Sequence, residues 1–383
     1  MEVVAEITGV AHGGDGVCRV EEWVCFVPYA LPGDRVRVRI ERRAKGVLWG
    51  AIEEVLEPSP FRVEAAGCCP LHGTCSACGW LHFSYPGQAE WKQRIVTDSL
   101  KRIAGIEAAV EWVEAPELRL GYRTRGEFHG DGERWGFYLR GTRELQAVRS
   151  CPLCHPRLNE ALDRLWKLRL RDSVEITVNP EGQEMLVWTK RPNDELRRLF
   201  PESNALHDGR ARRSFFFDGV PIVNGTFSQS SLLLNRLLVG LVRDCVGSPK
   251  RVLDLYCGNG NFSLGLGAER VLGFDHNRSV VEAAAALGKG EYLAGDENAF
   301  RGALREGTWD VVLIDPPRTG AKGIVGEITP ERAESVVYIS CDPATLARDL
   351  KTLTGHGWKL ARVAAVDMFP NTPHVETVCR LEA

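Results

Sequence analysis

The 383-residue sequence predicts an α/β protein. Its C-terminal part reads as a doubly wound parallel sheet, preceded by a small β-barrel and an α+β central unit built around cysteines. Three observations carry this. From about residue 250, apolar strand-like runs alternate with helical stretches, starting at Arg251-Val252-Leu253-Asp254-Leu255-Tyr256. Residues 1–57 break into short apolar runs punctuated by Gly and Pro. Between these regions lie six of the twelve cysteines, in two short groups. The resulting units are 1–58, 59–210 and 211–383.

The bulk composition suits a globular chain, with 44% hydrophobic and 26% charged residues. A net charge of −3 means that any polyanion site must be a local patch. No stretch approaches the ~20 apolar residues of a membrane span. Met1-Glu2-Val3-Val4-Ala5-Glu6 lacks the basic start and apolar core of a leader, so a cytoplasmic, monomeric protein without membrane contact is expected. Crowded cysteines favour metal ligation plus a catalytic thiol over a disulfide framework.

In the barrel, Gly13-Gly14-Asp15-Gly16 and Leu31-Pro32-Gly33-Asp34 are turn signals. Arg35-Val36-Arg37-Val38-Arg39-Ile40 alternates strictly, so Val36, Val38 and Ile40 face a core and three arginines face outward. Arg42, Arg43 and Lys45 extend that face. The strip is either a phosphate-backbone contact or a solvated edge protected by charge.

Next, Cys69, Cys75 and Cys78 stand at spacings of six and three, with Cys68 adjacent and Cys151 and Cys154 as a distant pair. Such thiolates fit an iron–sulfur cluster or a structural zinc, and spacing alone does not choose. Trp91, Ile95, Val96, Leu100 and Ile103 form a helical stripe, and Leu158, Ala161, Leu162 and Leu165 form another. Residues 118–149 look β-rich, with seven arginines interleaved with aromatics. That mixture serves single-stranded RNA recognition or simply a sheet with an aromatic core.

In the C-terminal unit, Tyr256-Cys257-Gly258-Asn259-Gly260-Asn261 follows a buried strand and should lead to a helix near Phe262. Val271-Leu272-Gly273-Phe274-Asp275 ends in an acid placed to accept from ribose hydroxyls. Asp296, after the strand Glu291-Tyr292-Leu293, is placed to hold an adenine amino group. The third glycine of the dinucleotide fingerprint and a phosphate-binding lysine are both missing, which favours S-adenosylmethionine over NAD.

Cys341 sits at a strand end before Pro343 and a helix, where a helix N-terminus should lower its pKa. Asp315, at the end of Asp310-Val311-Val312-Leu313-Ile314, is placed to bind or orient a base edge, and Glu376 is the candidate general base. A thiol, a methyl-donor site and a base at successive strand ends suggest methylation of a pyrimidine carbon through a covalent adduct. Competing readings are a 5-methylcytosine enzyme, an exocyclic-amine methyltransferase and an RNA-binding scaffold without catalysis.

The runs Asp315-Pro316-Pro317-Arg318, Tyr338-Ile339-Ser340-Cys341-Asp342-Pro343 and Phe369-Pro370-Asn371-Thr372-Pro373-His374-Val375-Glu376-Thr377 resemble the RNA uracil-5 methyltransferase family. The turn at His12–Gly16 and the run Phe26–Val36 resemble the TRAM domain, an RNA-binding barrel. The resemblance implies a class I methyltransferase fold, S-adenosylmethionine as donor and 5-methyluridine as product. It implies Cys341 as nucleophile and Glu376 as base, with Gln229, Tyr256, Asp275 and Asp315 around donor and uracil, beside the cofactor-binding glycine turn at Gly258. It also implies a [4Fe-4S] cluster on Cys69, Cys75, Cys78 and Cys151, leaving Cys68 and Cys154 as spares. The TRAM-like barrel points to 23S rRNA, with tRNA as the alternative. Ser231 and Asp342 stand where the family often has Asn, and Asp275 replaces the commoner Glu.

Overall fold

The computed structural model describes residues 1–206 and 208–383. Six N-terminal strands, β1 (Glu2–Glu6), β2 (Gly9–Val10), β3 (Gly16–Val20), β4 (Trp23–Val27), β5 (Arg35–Ala44) and β6 (Val47–Glu57), form one sheet in the order β1-β5-β6-β4-β3-β2. Three register shifts between β5 and β6 curl it around Cys18, Cys25, Val36 and Val38. Val36 and Val38 are fully buried and the arginines between them face out, as the alternation requires.

Part of the arginine strip is ion-paired. Arg35 pairs with Glu57 at 2.7 Å, Arg37 with Glu54 at 3.4 Å, and Arg39 with Glu53 and Glu41. Arg42 and Arg43 lie 3.8 Å over the rings of Trp49 and Trp23. Cross-strand pairing with β6, which the spacing within β5 could not reveal, places carboxylates opposite three of these arginines on a strand interior to the sheet.

Helix α1 (Tyr85–Ser99) and a π-helical turn at Leu100–Ala104 follow the cysteine loop, then β7 (Glu111–Val113). The central sheet has the order β10-β9-β8-β11-β12-β13, from β8 (Arg125–Gly130), β9 (Trp135–Tyr138), β10 (Leu145–Ala147), β11 (Ser173–Val178), β12 (Met185–Thr189) and β13 (Asn204–Ala205). Helix α2 (Pro156–Leu165) covers it with Leu158, Ala161, Leu162 and Leu165, all fully buried. A short helix α3 (Asp194–Leu199), the hairpin β14 (Ser214–Phe217) with β15 (Val220–Val223), and helix α4 (Leu232–Val246) lead to the last unit.

That unit is an eight-stranded sheet, ordered β18-β17-β16-β19-β20-β22-β21-β7. It contains β16 (Arg251–Leu255), β17 (Arg270–Asp275), β18 (Glu291–Ala294), β19 (Trp309–Ile314), β20 (Ala333–Ser340), β21 (Lys359–Val366) and β22 (Glu376–Glu382). The first five are mutually parallel, and β22 runs antiparallel between β20 and β21. Helices α5 (Arg278–Ala285), α6 (Glu297–Arg305) and α7 (Pro343–Gly355) complete the winding. Residues 85–113 belong to this layer: β7 pairs with β21, and Val96 and Leu100 are buried in the same core as Leu346 and Leu350 of α7.

The helix expected near Phe262 does not form. Residues 258–266 are a succession of turns, although Leu264 N–H reaches Gly260 O at 3.0 Å. Glycines at 258, 260, 265 and 267 make a regular helix entropically costly there. Gly260 has φ +76°, and a Cβ on it would approach Leu264 to 2.6 Å, so no other residue fits this turn without displacing its neighbour.

Candidate active site

A cavity of about 1060 Å³ opens at the carboxyl ends of β16, β17, β19 and β20. This edge collects what four separate strands deliver. Tyr256 follows β16 at φ +62°, a strained geometry for a non-glycine residue, and its hydroxyl meets Glu297 Oε1 at 3.2 Å. The Asp275 carboxylate, at the end of β17, accepts from Gly258 N–H at 3.1 Å and Asn277 N–H at 2.8 Å, tying the glycine turn to the second strand. Asp315 leaves β19 and Cys341 leaves β20. Glu376 reaches the same edge from the opposite chain direction, because β22 is antiparallel and Thr377 pairs with Ser340.

Cys341, Glu376, Gln229, Tyr256, Gly258, Asp275 and Asp315 all line this cavity. Asp296 does not. It is exposed, and its Oδ1 is spent as the N-cap of α6, accepting from Asn298 N–H at 2.9 Å and Ala299 N–H at 3.3 Å. A helix begins immediately after this strand, and its cap takes one oxygen of the carboxylate that the spacing offered to an adenine.

Burial dominates the electrostatics. Asp315 is pushed up to about 8, first by burial and then by the charges of Asp254 and Asp275. Glu376 is raised well above the usual carboxylate range by burial, with Asp315 adding to the rise and Arg318 opposing it. The Cys341 thiol is raised to about 11, first by burial and then by Glu376, while Arg318 pulls it down by charge and hydrogen bond. The lowering expected from a helix N-terminus is therefore outweighed. Asp342 caps α7, its carboxylate accepting from Ala344 N–H at 3.0 Å and Thr345 N–H at 2.9 Å.

Sequence reading assigned no role to Arg318, although it sits inside the Asp315-Pro316-Pro317-Arg318 run. It lines the cavity and is the cation that faces both Cys341 and Glu376. Arg123 and Arg125 also line the cavity. Arg125 donates to Ser228 O at 2.8 Å and Glu175 at 2.6 Å, fixing the Phe227–Ser231 segment that carries Gln229. Phe227 stands 71% exposed on the rim, open to stacking. Ser231 is the N-cap of α4, accepting from Leu234 N–H at 3.0 Å, which an Asn there would also do.

The barrel reaches this site through its glycine turn. His12 Nε2 lies 3.2 Å from Asp342 Oδ2, Trp80 Nε1–H donates to Gly14 O at 3.2 Å, and Arg140 pairs with Asp15 at 2.7 Å.

Cys69, Cys75, Cys78, Cys151 and Cys154 are all buried in one cluster, and Cys68 is exposed. Cys75, Cys78, Cys151 and Cys154 border a second cavity of about 470 Å³, which shares Arg123, Arg125, Gly126 and Glu127 with the first. Cys151 is held below the ordinary thiol value by a hydrogen bond from Cys154; burial opposes this, and backbone amides and Arg123 reinforce it. Burial pushes Cys75 and Cys78 up. Among the described residues, no three His, Cys, Asp or Glu side chains are grouped as they would be around one metal ion. Nor, among them, is any helix long and apolar enough to cross a membrane.

The chain matches the family described as tRNA (Uracil-5-)-methyltransferase over residues 302–383, and the TRAM domain over residues 2–52. It is similar to the 23S rRNA (uracil(1939)-C(5))-methyltransferase RlmD of Alkalilimnicola ehrlichii, at 31% identity over 97% of this chain and 94% of that one. RlmD of Pseudomonas entomophila is 32% identical over 98% of this chain and 93% of its own. Among solved structures, the Pyrococcus abyssi tRNA (uracil-54, C5)-methyltransferase in complex with S-adenosyl-L-homocysteine aligns over 100% of both chains, with a TM-score of 0.74 and 26% identity.

Proposed function

The chain belongs to the RNA uracil-5 methyltransferase family, and from that premise we propose that it methylates carbon 5 of a uridine in 23S rRNA, with Cys341 as nucleophile and Glu376 as base. It is an S-adenosylmethionine-dependent RNA methyltransferase with an RNA-binding TRAM domain. The observation that carries the residue assignment is the convergence of Cys341 and Glu376, from two different strands, on the cavity that holds the glycine turn and Asp275.

The chemistry needs this set. Cys341 Sγ gives its proton to solvent in the open cavity and bonds uracil carbon 6, and the ring electrons collect as an enolate over carbon 5 and oxygen 4. Carbon 5 takes the methyl group as the donor's carbon–sulfur bond breaks, leaving S-adenosylhomocysteine. Glu376 then removes the carbon 5 proton, the double bond re-forms, and the thiolate leaves. Burial and the neighbouring carboxylates favour the protonated form of Asp315, and a carboxyl that keeps its proton can donate a hydrogen bond to a uracil oxygen as charge develops there. The Asp275 carboxylate is held at the glycine turn, where it suits ribose hydroxyls. Gln229 and Tyr256 complete the wall around donor and base, and Arg318 offsets the negative charge of adduct formation.

Cys69, Cys75, Cys78 and Cys151 are read as the ligands of a [4Fe-4S] cluster. Five buried thiols from two chain segments, 69–78 and 151–154, are the ligand type that such a cluster takes. Bound, it would tie the cysteine loop to the central sheet; methyl transfer itself moves no net electron. Support for 23S rRNA comes from relatives of full length that carry that substrate in their names. The likeness to a tRNA enzyme keeps tRNA as the second reading. A monomer in the cytoplasm suffices for either.

Two experiments test this. RNA carrying 5-fluorouridine should trap a covalent complex that Cys341→Ala abolishes; absence of any complex with the parent protein sinks the adduct mechanism. Mass mapping of 5-methyluridine in total tRNA and 23S rRNA from a deletion strain should show loss at one 23S uridine. Loss in tRNA instead would transfer the same chemistry to the second reading.

A further inference from the structure

Between β21 and β22 the chain makes one loop, Asp367 to Val375, which ends at Glu376. Val366 is the ladder partner of Glu376, so Asp367 and Glu376 sit at the mouth of the same loop. Phe369, in its middle, lines the catalytic cavity.

This loop rests on three polar side chains of α1, a helix some 275 residues away in sequence. Tyr85, Gln88 and Lys92 are spaced three and four apart and share one face. Lys92 Nζ donates to Asp367 Oδ1 at 2.7 Å and to Phe369 O at 3.0 Å. Tyr85 O–H donates to Asp367 Oδ2 at 2.6 Å. Gln88 and Asn371 bond reciprocally: Asn371 N–H donates to Gln88 Oε1 at 2.8 Å, and Gln88 Nε2 donates to Asn371 Oδ1 at 3.1 Å. Asn371 itself has φ +64°. Tyr122 O–H donates to Pro370 O at 3.0 Å from the central unit.

Lys92 and Asp367 have fully buried side chains. An ion pair taken so completely out of water gains little or nothing in stability over apolar residues of similar volume. What directed, charge-assisted bonds supply, and apolar packing does not, is a single position for the groups they hold. Here they hold the segment that delivers the base.

We infer that Lys92, with Tyr85 and Gln88, is a positioning residue for the Glu376 carboxylate, and that its contacts to Asp367 and Phe369 O set the geometry of proton removal from carbon 5. This rests on the reading of Glu376 as base. Removing the clamp shifts the carboxylate relative to the ring but leaves Cys341, on a different strand, and the glycine turn in place. The step that suffers is therefore elimination, not adduct formation.

The test compares Lys92→Met, Tyr85→Phe and Glu376→Gln with the parent on unmodified RNA, following turnover and covalent complex on denaturing gels. Lys92→Met should lose about 10- to 100-fold in kcat, with KM falling alongside it so that kcat/KM is little changed. It should accumulate a methylated covalent complex that the parent does not, and Tyr85→Phe should move the same way by less. Complex formation on 5-fluorouridine RNA should keep the parental rate in both. The inference is overturned if a folded Lys92→Met turns over like the parent, or if adduct formation falls as much as turnover. If Lys92→Met does not fold, Tyr85→Phe decides by the same criteria. A stalled complex in Glu376→Gln but in neither clamp variant rejects the positioning role alone. No stalled complex in Glu376→Gln rejects the base assignment, and this inference with it.

Discussion

In the protein without substrates, Cys341 should be a poor nucleophile, and pH should show it. Its thiol is raised to about 11, so at pH 7 roughly one molecule in 10⁴ carries the thiolate, the reactive form. The largest cause is burial, the next is the Glu376 charge, and Arg318 works against both. Labelling by iodoacetamide, followed at the Cys341 peptide by mass spectrometry, should therefore accelerate about tenfold per pH unit from 7 to 10 without a plateau. Glu376, itself raised by burial, adds to the thiol's rise only where it is ionised, so the Glu376→Gln profile should move to lower pH at its alkaline end. Arg318→Leu removes the opposing cation, so its profile should move to higher pH. A plateau already reached below pH 8 would show a thiol activated by the fold alone, and would refute the argument that burial holds it up. The expected result means that the thiol stays latent until the substrates enter, which protects an open cavity from adventitious oxidation.

Two further outcomes follow from buried groups. Asp254, fully buried with its Oδ2 on Ser263 Oγ at 2.5 Å, is raised to about 7 by burial. The unfolded chain loses this proton near pH 4 and the folded one only near 7, so between them the folded state binds more protons and stability falls as pH rises. The share from Asp254 is about 4 kcal/mol, and urea midpoints at pH 5 and 8 should differ less in Asp254→Asn than in the parent; equal differences would contradict it. For the cysteine cluster, protein purified without oxygen should carry about four irons per chain and lose them in Cys75→Ser but not in Cys68→Ser. Stoichiometric zinc in place of iron would replace the cluster with a structural ion.

Much of the site was legible in the sequence because each piece is a local pattern. An apolar run followed by Tyr256-Cys257-Gly258-Asn259-Gly260 states a strand and a tight turn, and Ser340-Cys341-Asp342-Pro343 states a strand end, a thiol and a helix cap. Residue types at the ends of successive strands then named a chemistry, since a doubly wound sheet presents those ends along one edge. The cysteine spacing announced ligands for the same reason: chemical type and separation are written in the chain.

What the local pattern could not decide were the properties that depend on partners far along the chain. Arg35, Arg37 and Arg39 looked free until β6 brought Glu57, Glu54 and Glu53 opposite them. Asp296 looked free until α6 claimed one oxygen of its carboxylate as a cap. Residues 85–113 looked like part of the central unit until β7 paired with β21, which places Lys92 against Asp367. The pKa of Cys341 was expected to fall and instead rises, because burial and the charges of Glu376 and Arg318 depend on which chain segments meet around it. Sequence by itself determined which groups the protein owns and the turns that display them. Tertiary structure alone decided which of those charges are cancelled, buried or left facing the cavity, because burial and Coulomb energy depend on distance in space rather than on position in the chain.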